Sequence, residues 1–455
     1  MDQELSGKAN HDCNPQSFVH HYFTCKSLSI YKEILDVGEQ PTAAAADDES
    51  VQEMVWLLGA EELPVRMIAA QVARGLSTTP EGRTQLLAGG RCLSHLCDLI
   101  TLGSEDEKGG GLTSVIACEE AALHCLLALI ESHPELASEE GRLPLQRLLP
   151  CLVQRILSPL SRLRELCSSM LASLSYSPRV SEMLVEILSA SGGAIFEVML
   201  VQFEECEGGR SLPAEAAEVE EAIPEEGDSS SQPWIEDDLY ALGVVFAHLC
   251  QIPTGRVLMN PLASGVQAQA CAAGKDSTEE KPTCTPPLLR ISKSINSQNE
   301  IRSLGCVGCV HNFLLNEDCL SEGIAMLCSI QPTFFNTLSQ FLREKTELAL
   351  AVSSLPLESR TSSNAILALL HNVQLTLGFQ ILLNMARRYK RLQNENDPLI
   401  HLKISQQSTL FVKLFEDFKE PPPSTDKAGI ASEDDATVMS KIIENVRQQL
   451  NLHQL

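Results

Sequence analysis

The residues with the clearest potential for chemistry are two cysteines spaced as Cys306-Val-Gly-Cys309. This CxxC spacing is used by thiol redox sites and by zinc-binding turns. A tetrahedral zinc site needs two further cysteine or histidine ligands, and no second CxxC or histidine pair lies nearby in the sequence. The surrounding residues have helical periodicity. The pattern therefore favours two structural thiols, and the alternative, a thiol-dependent enzyme, would require a thiol of depressed pKa.

A phosphate-binding loop is suggested by Gly274-Lys275, but the neighbouring residues do not fit it. The pattern GxxxxGK(S/T) needs a glycine at position 269 and a hydroxyl residue at position 276, where this chain has Gln269 and Asp276. The chain also has no GxSxG or HExxH motif. We therefore expect no enzymatic activity, and no catalytic residue, cofactor or metal site.

Recurring helix-ending signatures indicate which elements position the remaining polar residues. Three apolar stretches with helical spacing end in Leu-x3-Pro, at Leu76 to Pro80, Leu174 to Pro178 and Leu249 to Pro253. Because proline cannot continue a helix, each proline marks a turn into the next helix. Two further stretches share the signatures His311-Asn312-Phe313 and His371-Asn372-Val373. Such recurrence is typical of stacked helical repeats.

The spacing of these signatures predicts the class of repeat. Pro178 and Pro253 are 75 residues apart, and removing the acidic run 204–236 leaves 42. Armadillo and HEAT repeats are about 40–47 residues long. We therefore predict an all-α, right-handed superhelical solenoid of armadillo or HEAT type, with five or six irregular repeats.

Aligning the repeats places Asn312 and Asn372 at equivalent positions. In an armadillo solenoid the last helix of each repeat lines the concave groove, where an asparagine amide can both donate to and accept from a peptide backbone. The alternative is an asparagine bonded to its own neighbouring turn. Arg387 and Arg388 begin the strongest basic cluster, which fits either the dipole at a helix C-terminus or a contact with an acidic partner.

The composition narrows the class of partner and the compartment. A formal net charge of −26 disfavours binding to nucleic acid or to a membrane surface. Much of this charge lies in residues 204–238, which hold 13 carboxylates and one arginine and are typical of a solvated insertion. Many of the 16 cysteines fall in apolar helical stretches, where a free thiol packs as a small hydrophobe. With no secretory signal in view, we expect a cytoplasmic protein with reduced thiols.

These features predict the organisation of the chain. In order, they indicate a mobile leader (1–50), N-terminal armadillo-like repeats (51–203), an acidic disordered insertion (204–236), C-terminal armadillo-like repeats (237–420) with a surface loop at 262–287, a linker (421–435) and a terminal helix (436–455). The leader holds one predicted helix, from Phe18 to Leu35. The terminal helix either caps the solenoid or binds a partner.

Two stretches resemble a known protein family. Asp238 to Arg256 resembles the segment in which family members carry an Asn-Leu-Ser-Gln run followed by Gly-Arg. Glu300 to Asn312 resembles the family block Ile-Arg-Arg-Gly-Gly-Val-Ala-Gly-x-Ile-(Lys/Arg)-Asn. The family is the eukaryotic Hgh group of armadillo-type proteins, and the resemblance covers residues 238–316. This chain departs from the pattern at His248, where members usually carry asparagine.

The resemblance implies a protein-binding chaperone or folding cofactor. Members of the family assist the folding of translation elongation factor two and help to recruit it to the cytosolic chaperonin, so the implied partners are that client, the chaperonin and co-chaperones. The alternative is a general armadillo scaffold or transport adaptor. An adaptor would need a ladder of groove asparagines and tryptophans, whereas this chain has two tryptophans, Trp56 and Trp234.

The same two stretches supply the remaining candidate residues. Gly305 and Gly308 would let two helices approach closely, which would place Arg256 and Arg302 near helix boundaries. Each arginine has two open roles, pairing with carboxylates of neighbouring repeats or contact with a bound protein. The candidate protein-binding residues are therefore Arg256, Arg302, Asn312, Asn372, Arg387 and Arg388.

Overall fold

The computed structural model describes residues 48–88, 90–102, 112–139, 142–158, 163–207, 210–211, 234–235, 237–260, 285–315 and 333–353, and separate positions between 370 and 384. The helices are α1 (Asp48–Leu57), α2 (Leu63–Ser77), α3 (Pro80–Ala88), α4 (Cys92–Leu102), α5 (Leu112–Ser132), α6 (Glu135–Ser138), α7 (Leu145–Leu157), α8 (Arg164–Ser175), α9 (Pro178–Ser189), α10 (Ala194–Glu205), α11 (Leu242–Leu249), α12 (Pro253–Met259), α13 (Pro287–Lys293), α14 (Glu300–Leu315) and α15 (Thr333–Ser353). Two-residue strands β1 (Arg210–Ser211) and β2 (Trp234–Ile235) pair antiparallel.

These helices recur in groups of three that form three parallel stacks. The third helices contact one another in the order α2, α5, α8, α11 and α14, and we call this series the third-helix stack. The second helices likewise contact one another in the order α4, α7, α10, α13 and α15. Among the short first helices, α9 contacts both α6 and α12.

The predicted all-α armadillo-type solenoid is confirmed by this arrangement. Each group packs on the next, and the buried apolar residues form one continuous core from Val51 to Ile381. Three helices per group, stacked on the corresponding helices of the next group, are the organisation of armadillo repeats. The described helices fall into six groups, in agreement with the predicted five or six.

The Leu-x3-Pro signatures mark the corner between one repeat and the next, as predicted. Pro80, Pro178 and Pro253 each occupy the first position of a short first helix, where the missing N–H of proline needs no partner. The residue three places after each proline donates to a carbonyl three places before it. The donor and acceptor pairs are Arg83 Nη1 to Ser77 O at 2.8 Å, Ser181 Oγ to Ser175 O at 2.7 Å and Arg256 Nη1 to Cys250 O at 3.1 Å.

Two of these corners also require glycine. A Cβ added to Gly82 would lie 2.1 Å from the carbonyl oxygen of Leu76, and one added to Gly255 would lie 2.0 Å from that of Leu249. These distances are far inside van der Waals contact with backbone that cannot rotate away. In both corners the proline is followed by Gly-Arg, at Gly82-Arg83 and Gly255-Arg256. This recurrence has a structural cause, since glycine allows the close corner and arginine caps the preceding helix.

The closest helix contact lies between α11 and α14. A Cβ added to Gly305 would lie 2.2 Å from the carbonyl carbon of Gly243 and 2.4 Å from the amide nitrogen of Val244. The expectation that Gly305 lets two helices approach is therefore met, and its facing residue is a second glycine. This contact is made from backbone on both sides.

The described elements refine several predicted boundaries. Helix α1 begins at Asp48 rather than at residue 51, and α10 continues to Glu205, beyond the predicted end of the N-terminal repeats. Pro287, assigned to the surface loop at 262–287, is the first residue of α13. Strands β1 and β2 lie inside the predicted insertion. The linker at 421–435, the terminal helix at 436–455 and the predicted helix at 18–35 lie outside the described residues.

In the part of the chain that the structure describes, one helical stretch, Pro178–Glu205, is long and apolar enough to cross a membrane by length and composition alone. It consists of α9 and α10, which are separated by a turn where Ser191, Gly192 and Gly193 have positive φ. Both helices bury one side in the solenoid, through residues such as Leu184 and Leu200. The turn between the two helices and the buried side of each are properties of core helices, and α9 and α10 belong to two neighbouring stacks of the solenoid.

Candidate protein-binding surface

Arg302, a candidate for protein contact, is completely buried near the start of α14. Its Nε and Nη2 donate to the two carboxylate oxygens of Asp237, and its Nη1 donates to the carbonyl oxygen of Phe203 at 2.8 Å. The guanidinium carbon also lies 3.7 Å from the centroid of the Phe203 ring. Every face of this side chain is used inside the protein, so Arg302 takes the pairing role and is not presented to a partner.

Arg256 is also buried, but its partners differ from the predicted carboxylates. Its Nη1 donates to the carbonyl oxygens of Cys250 and Gln251, at 3.1 and 3.0 Å. These are carbonyls at the C-terminal end of α11, which have no partner within the helix. A positive charge there also complements the helix dipole. Arg256 therefore caps α11.

Asn312 uses its amide within the third-helix stack. Its Nδ2 donates to the carbonyl oxygen of Ala247 on α11 at 2.9 Å, and its Oδ1 lies 3.2 Å from His311 Nδ1. The bond to a neighbouring helix is neither of the two roles predicted, a peptide grip or a bond to its own turn. The other three candidates, Asn372, Arg387 and Arg388, lie outside the described residues.

Burial along the third-helix stack is strongly asymmetric. Every residue of α11 is buried, as is every residue of α14 from Ile301 to Leu314. On α8, Glu165 is exposed and Leu166 is half-buried, whereas the following residues to Ser175 are buried. Among the described residues of this stack, exposed side chains are mainly on α2, at Gln71, Val72 and Arg74, while Glu120 and His124 on α5 are half-buried. A partner approaching the third helices would therefore meet α2 and α5 rather than the segment that carries the family resemblance.

Part of the accessible surface of the first two third helices is polar and runs from one helix to the other. We define the α2–α5 face by Gln71, Arg74 and Gly75 on α2 and by Glu120 and His124 on α5. Arg74 Nη1 lies 3.6 Å from Glu120 Oε1, and His124 Nε2 lies 3.8 Å from the same oxygen. A Cβ added to Gly75 would meet nothing within 4 Å. The face thus combines both signs of charge with an accessible stretch of helix backbone.

Sequence reasoning missed this face because its residues form no motif. In the aligned repeats Gly75 occupies the position of Asn312, where a peptide-binding groove was expected to carry asparagine. The charged pair is separated by 46 residues in the sequence, so only the stacking of α2 on α5 brings it together. The one sequence feature that could have indicated this face is the alignment of the repeats, which places Gly75 at the end of a repeat.

Two acidic residues of the predicted insertion (204–236), and two that directly follow it, belong to the fold. At its beginning, Glu204 binds Arg290 of α13, with Nε to Oε1 at 3.0 Å and Nη2 to Oε2 at 2.7 Å, and Ser294 Oγ donates to Glu207 at 2.6 Å. Directly after it, Asp237 binds Arg302, and Asp238 Oδ2 lies 3.5 Å from Arg164 Nε. With β1 and β2 paired between these contacts, the chain leaves and re-enters the solenoid at one place.

The thiols near Cys306 lack the properties of a catalytic site. Cys306 and Cys309 are fully buried, and burial raises the pKa of both thiols well above its ordinary value. Cys309 Sγ lies 3.4 Å from Cys250 Sγ across the contact between α11 and α14. A reactive cysteine needs an accessible thiolate, and these thiols are held protonated in the core. The thiol-dependent enzyme therefore has no support from the structure.

The other pair with catalytic residue types is also enclosed. Ser175 Oγ lies 2.9 Å from His248 Nδ1, and both residues are buried. Ser175 also donates to the carbonyl oxygen of Ala172 at 3.1 Å, and His248 packs edge-on to Tyr176. These contacts join α8 to α11. Within the described ranges, no group of three or more histidine, cysteine, aspartate or glutamate residues is arranged to hold a metal ion.

The half-buried Glu300 joins α14 to α15 and to His371 and Gln374. Glu300 Oε2 lies 2.5 Å from Lys345 Nζ on α15, its Oε1 lies 3.4 Å from His371 Nε2, and Gln374 Nε2 donates to it at 2.9 Å. Burial alone would raise the pKa of Glu300. The hydrogen bonds from His371, Lys345 and Gln374 and the charge of Lys345 outweigh burial and lower this pKa to about 2.

Comparison with known proteins finds similarity to solved armadillo structures. No family model and no curated protein matches the chain. A designed armadillo repeat protein matches with a TM-score of 0.37 and 12% identity, covering 72% of this chain and 99% of its own. A second solved structure comes from a study of a phosphorylation switch that controls the interaction between cadherin and beta-catenin. It matches with a TM-score of 0.36 and 10% identity, covering 97% of this chain and 98% of its own. At these scores the fold rests on the helix stacks described above.

Proposed function

We propose that this chain is a non-enzymatic scaffold that binds another protein through the α2–α5 face. The observation that carries the proposal is the asymmetry of the third-helix stack. The side chains of α11 and α14 are used for packing, whereas α2 and α5 present Arg74, Glu120 and the open backbone at Gly75. A surface with both charges and accessible backbone suits an extended polar segment of a partner.

Two variants test this surface. Arg74→Glu reverses a charge on the α2–α5 face, and Gly75→Trp fills its open backbone. Arg142→Glu is a matched control because Arg142 forms a similarly exposed ion pair, with Glu139 at 2.7 Å, elsewhere in the solenoid. We expect both test variants to lose the proteins that the unmodified chain retains in affinity capture from lysate, and the control to keep them. Retention of the same proteins by Arg74→Glu and Gly75→Trp would contradict the proposal.

A narrower proposal identifies the bound protein as translation elongation factor two. It is supported by the resemblance of residues 238–316 to the Hgh family, and it implies a cytoplasmic chaperone or folding cofactor that works with the cytosolic chaperonin. None of the described cysteines forms a disulfide, and all of them are buried, which fits a reducing compartment. Mass spectrometry of the captured proteins tests this identity. Absence of both the elongation factor and the chaperonin subunits would reject it, while loss of other captured proteins from the variants would still support the scaffold.

A further inference from the structure

The side of α2 at the beginning of the solenoid carries exposed apolar side chains. Ile68 is 60% exposed and Val72, one turn further along α2, is 47% exposed, while Ala69, Ala70 and Ala73 are buried. Trp56 on the neighbouring α1 is 69% exposed. We call Trp56, Ile68 and Val72 the α2 end face. Apolar side chains of this size at a terminus are unusual, because end repeats of solenoids normally present a polar surface or are covered.

Among the described residues, the first repeat has two helices, whereas the next four groups have three. Helices α1 and α2 correspond to the second and third helices of a repeat, because α2 begins the third-helix stack and α3 begins the next group. In the groups that start with α3, α6, α9 and α12, a short first helix precedes these two. For the first repeat, this helix must come from the chain before Asp48. The end face therefore lies where the repeat pattern places a further helix.

Residues 18–35 have the composition to supply that helix. Val19, Phe23, Ile30 and Ile34 recur at intervals of four and seven residues, which places them on one side of a helix. The same stretch has Lys26 and Lys32 against a single acid, in a chain of net charge −26. The exposed residues of α1 include Glu49 and Glu53. An apolar stripe flanked by lysines thus complements an apolar face flanked by carboxylates.

The connection is long enough for this packing. Residues 36–47 provide 12 residues between the predicted helix and α1, and such a segment spans up to about 40 Å when extended. Helix α2, with 15 residues, is about 22 Å long. The tether therefore allows residues 18–35 to reach any part of the end face.

We propose that residues 18–35 form the missing first helix of the first repeat and cover Trp56, Ile68 and Val72. The interaction is intramolecular, so the short tether keeps the effective concentration of the helix high. Covering the end face completes the first repeat and removes an apolar surface on which a second copy could stack.

Hydrogen exchange measured on the full-length chain tests the proposal. We compare the unmodified protein with Ile68→Asp, and use Val257→Asp as control because Val257 is 49% exposed on α12, far along the chain. Amides in residues 18–35 should exchange at least about tenfold more slowly than an unstructured segment in the unmodified protein and in the control. This protection should disappear in Ile68→Asp. Phe23→Asp, which leaves the described repeats unchanged, should remove the same protection.

Two results would overturn the proposal. The first is exchange of residues 18–35 at unprotected rates in the unmodified chain, or protection that survives both Ile68→Asp and Phe23→Asp. The second is a dimer, detected by light scattering, that dissociates on Ile68→Asp while residues 18–35 exchange freely, because a second copy would then be the occupant of the end face.

Discussion

Replacing Gly305 by alanine gives a quantitative test of the contact between α11 and α14. The new Cβ would lie 2.2 Å from a backbone carbon of Gly243, whereas ordinary contacts begin at 3.4 Å. The two helices must therefore separate by about 1 Å, and overpacking of this kind destabilises by about 1–3 kcal/mol or more. Alanine gains about 1 kcal/mol in helix propensity over glycine. We expect a net destabilisation of about 2 kcal/mol, given the rigidity of both backbones.

Gly75→Ala is the matched control for Gly305→Ala. Both positions lie within helices, but a Cβ at Gly75 meets nothing within 4 Å. Only the propensity gain remains there, so the control should be stabilised by about 0.5–1 kcal/mol. Urea denaturation followed by far-UV circular dichroism measures both changes. A denaturation midpoint for Gly305→Ala at or above that of the unmodified protein would show that the close approach of these helices is not required.

Two further variants test the buried charges. Arg302→Lys should destabilise the protein by about 3 kcal/mol, because lysine cannot reproduce the two-point bond to Asp237 together with the bond to the Phe203 carbonyl; Arg142→Lys, on an exposed ion pair, should change the urea midpoint little. The pKa of Glu300 is lowered from 4.5 to about 2 in the folded protein, so its stabilisation is present above pH 4.5 and is lost as the pH falls towards 2. The difference in free energy of unfolding between the unmodified protein and Glu300→Gln should therefore shrink by roughly 3 kcal/mol over that range. An unchanged difference would refute the role assigned to Lys345 and His371.

The fold was predictable from sequence because its signals are local. A proline that ends a helix and an apolar stripe at helical spacing are readable within about 20 residues, and the corners at Pro80, Pro178 and Pro253 lie where these signals place them. The Gly-Arg pair was visible as a recurrence. Its cause is visible only in three dimensions, because a Cβ added to the glycine would lie 2.0 Å from a carbonyl oxygen of the preceding helix.

The candidate site was less predictable because burial depends on distant residues. Arg302 and Asn312 have the residue types of a binding surface, but Asp237 and Ala247, contributed by another repeat, enclose them. Arg256 was placed correctly at a helix boundary, and its partners are carbonyls of α11 instead of carboxylates. The exposed pair of Arg74 and Glu120 depends on how α2 stacks on α5. No single stretch of sequence records that register.

The pairing of β1 with β2 brings the two ends of residues 212–233 to adjacent positions on the solenoid. For a segment with neighbouring ends, each doubling in length adds only about 0.6 kcal/mol of closure entropy. The repeats on either side are joined by contacts of Arg290, Arg164 and Arg302. This position is therefore an attachment point, where a shorter linker or an entire reporter domain should be accommodated while the helices keep their register.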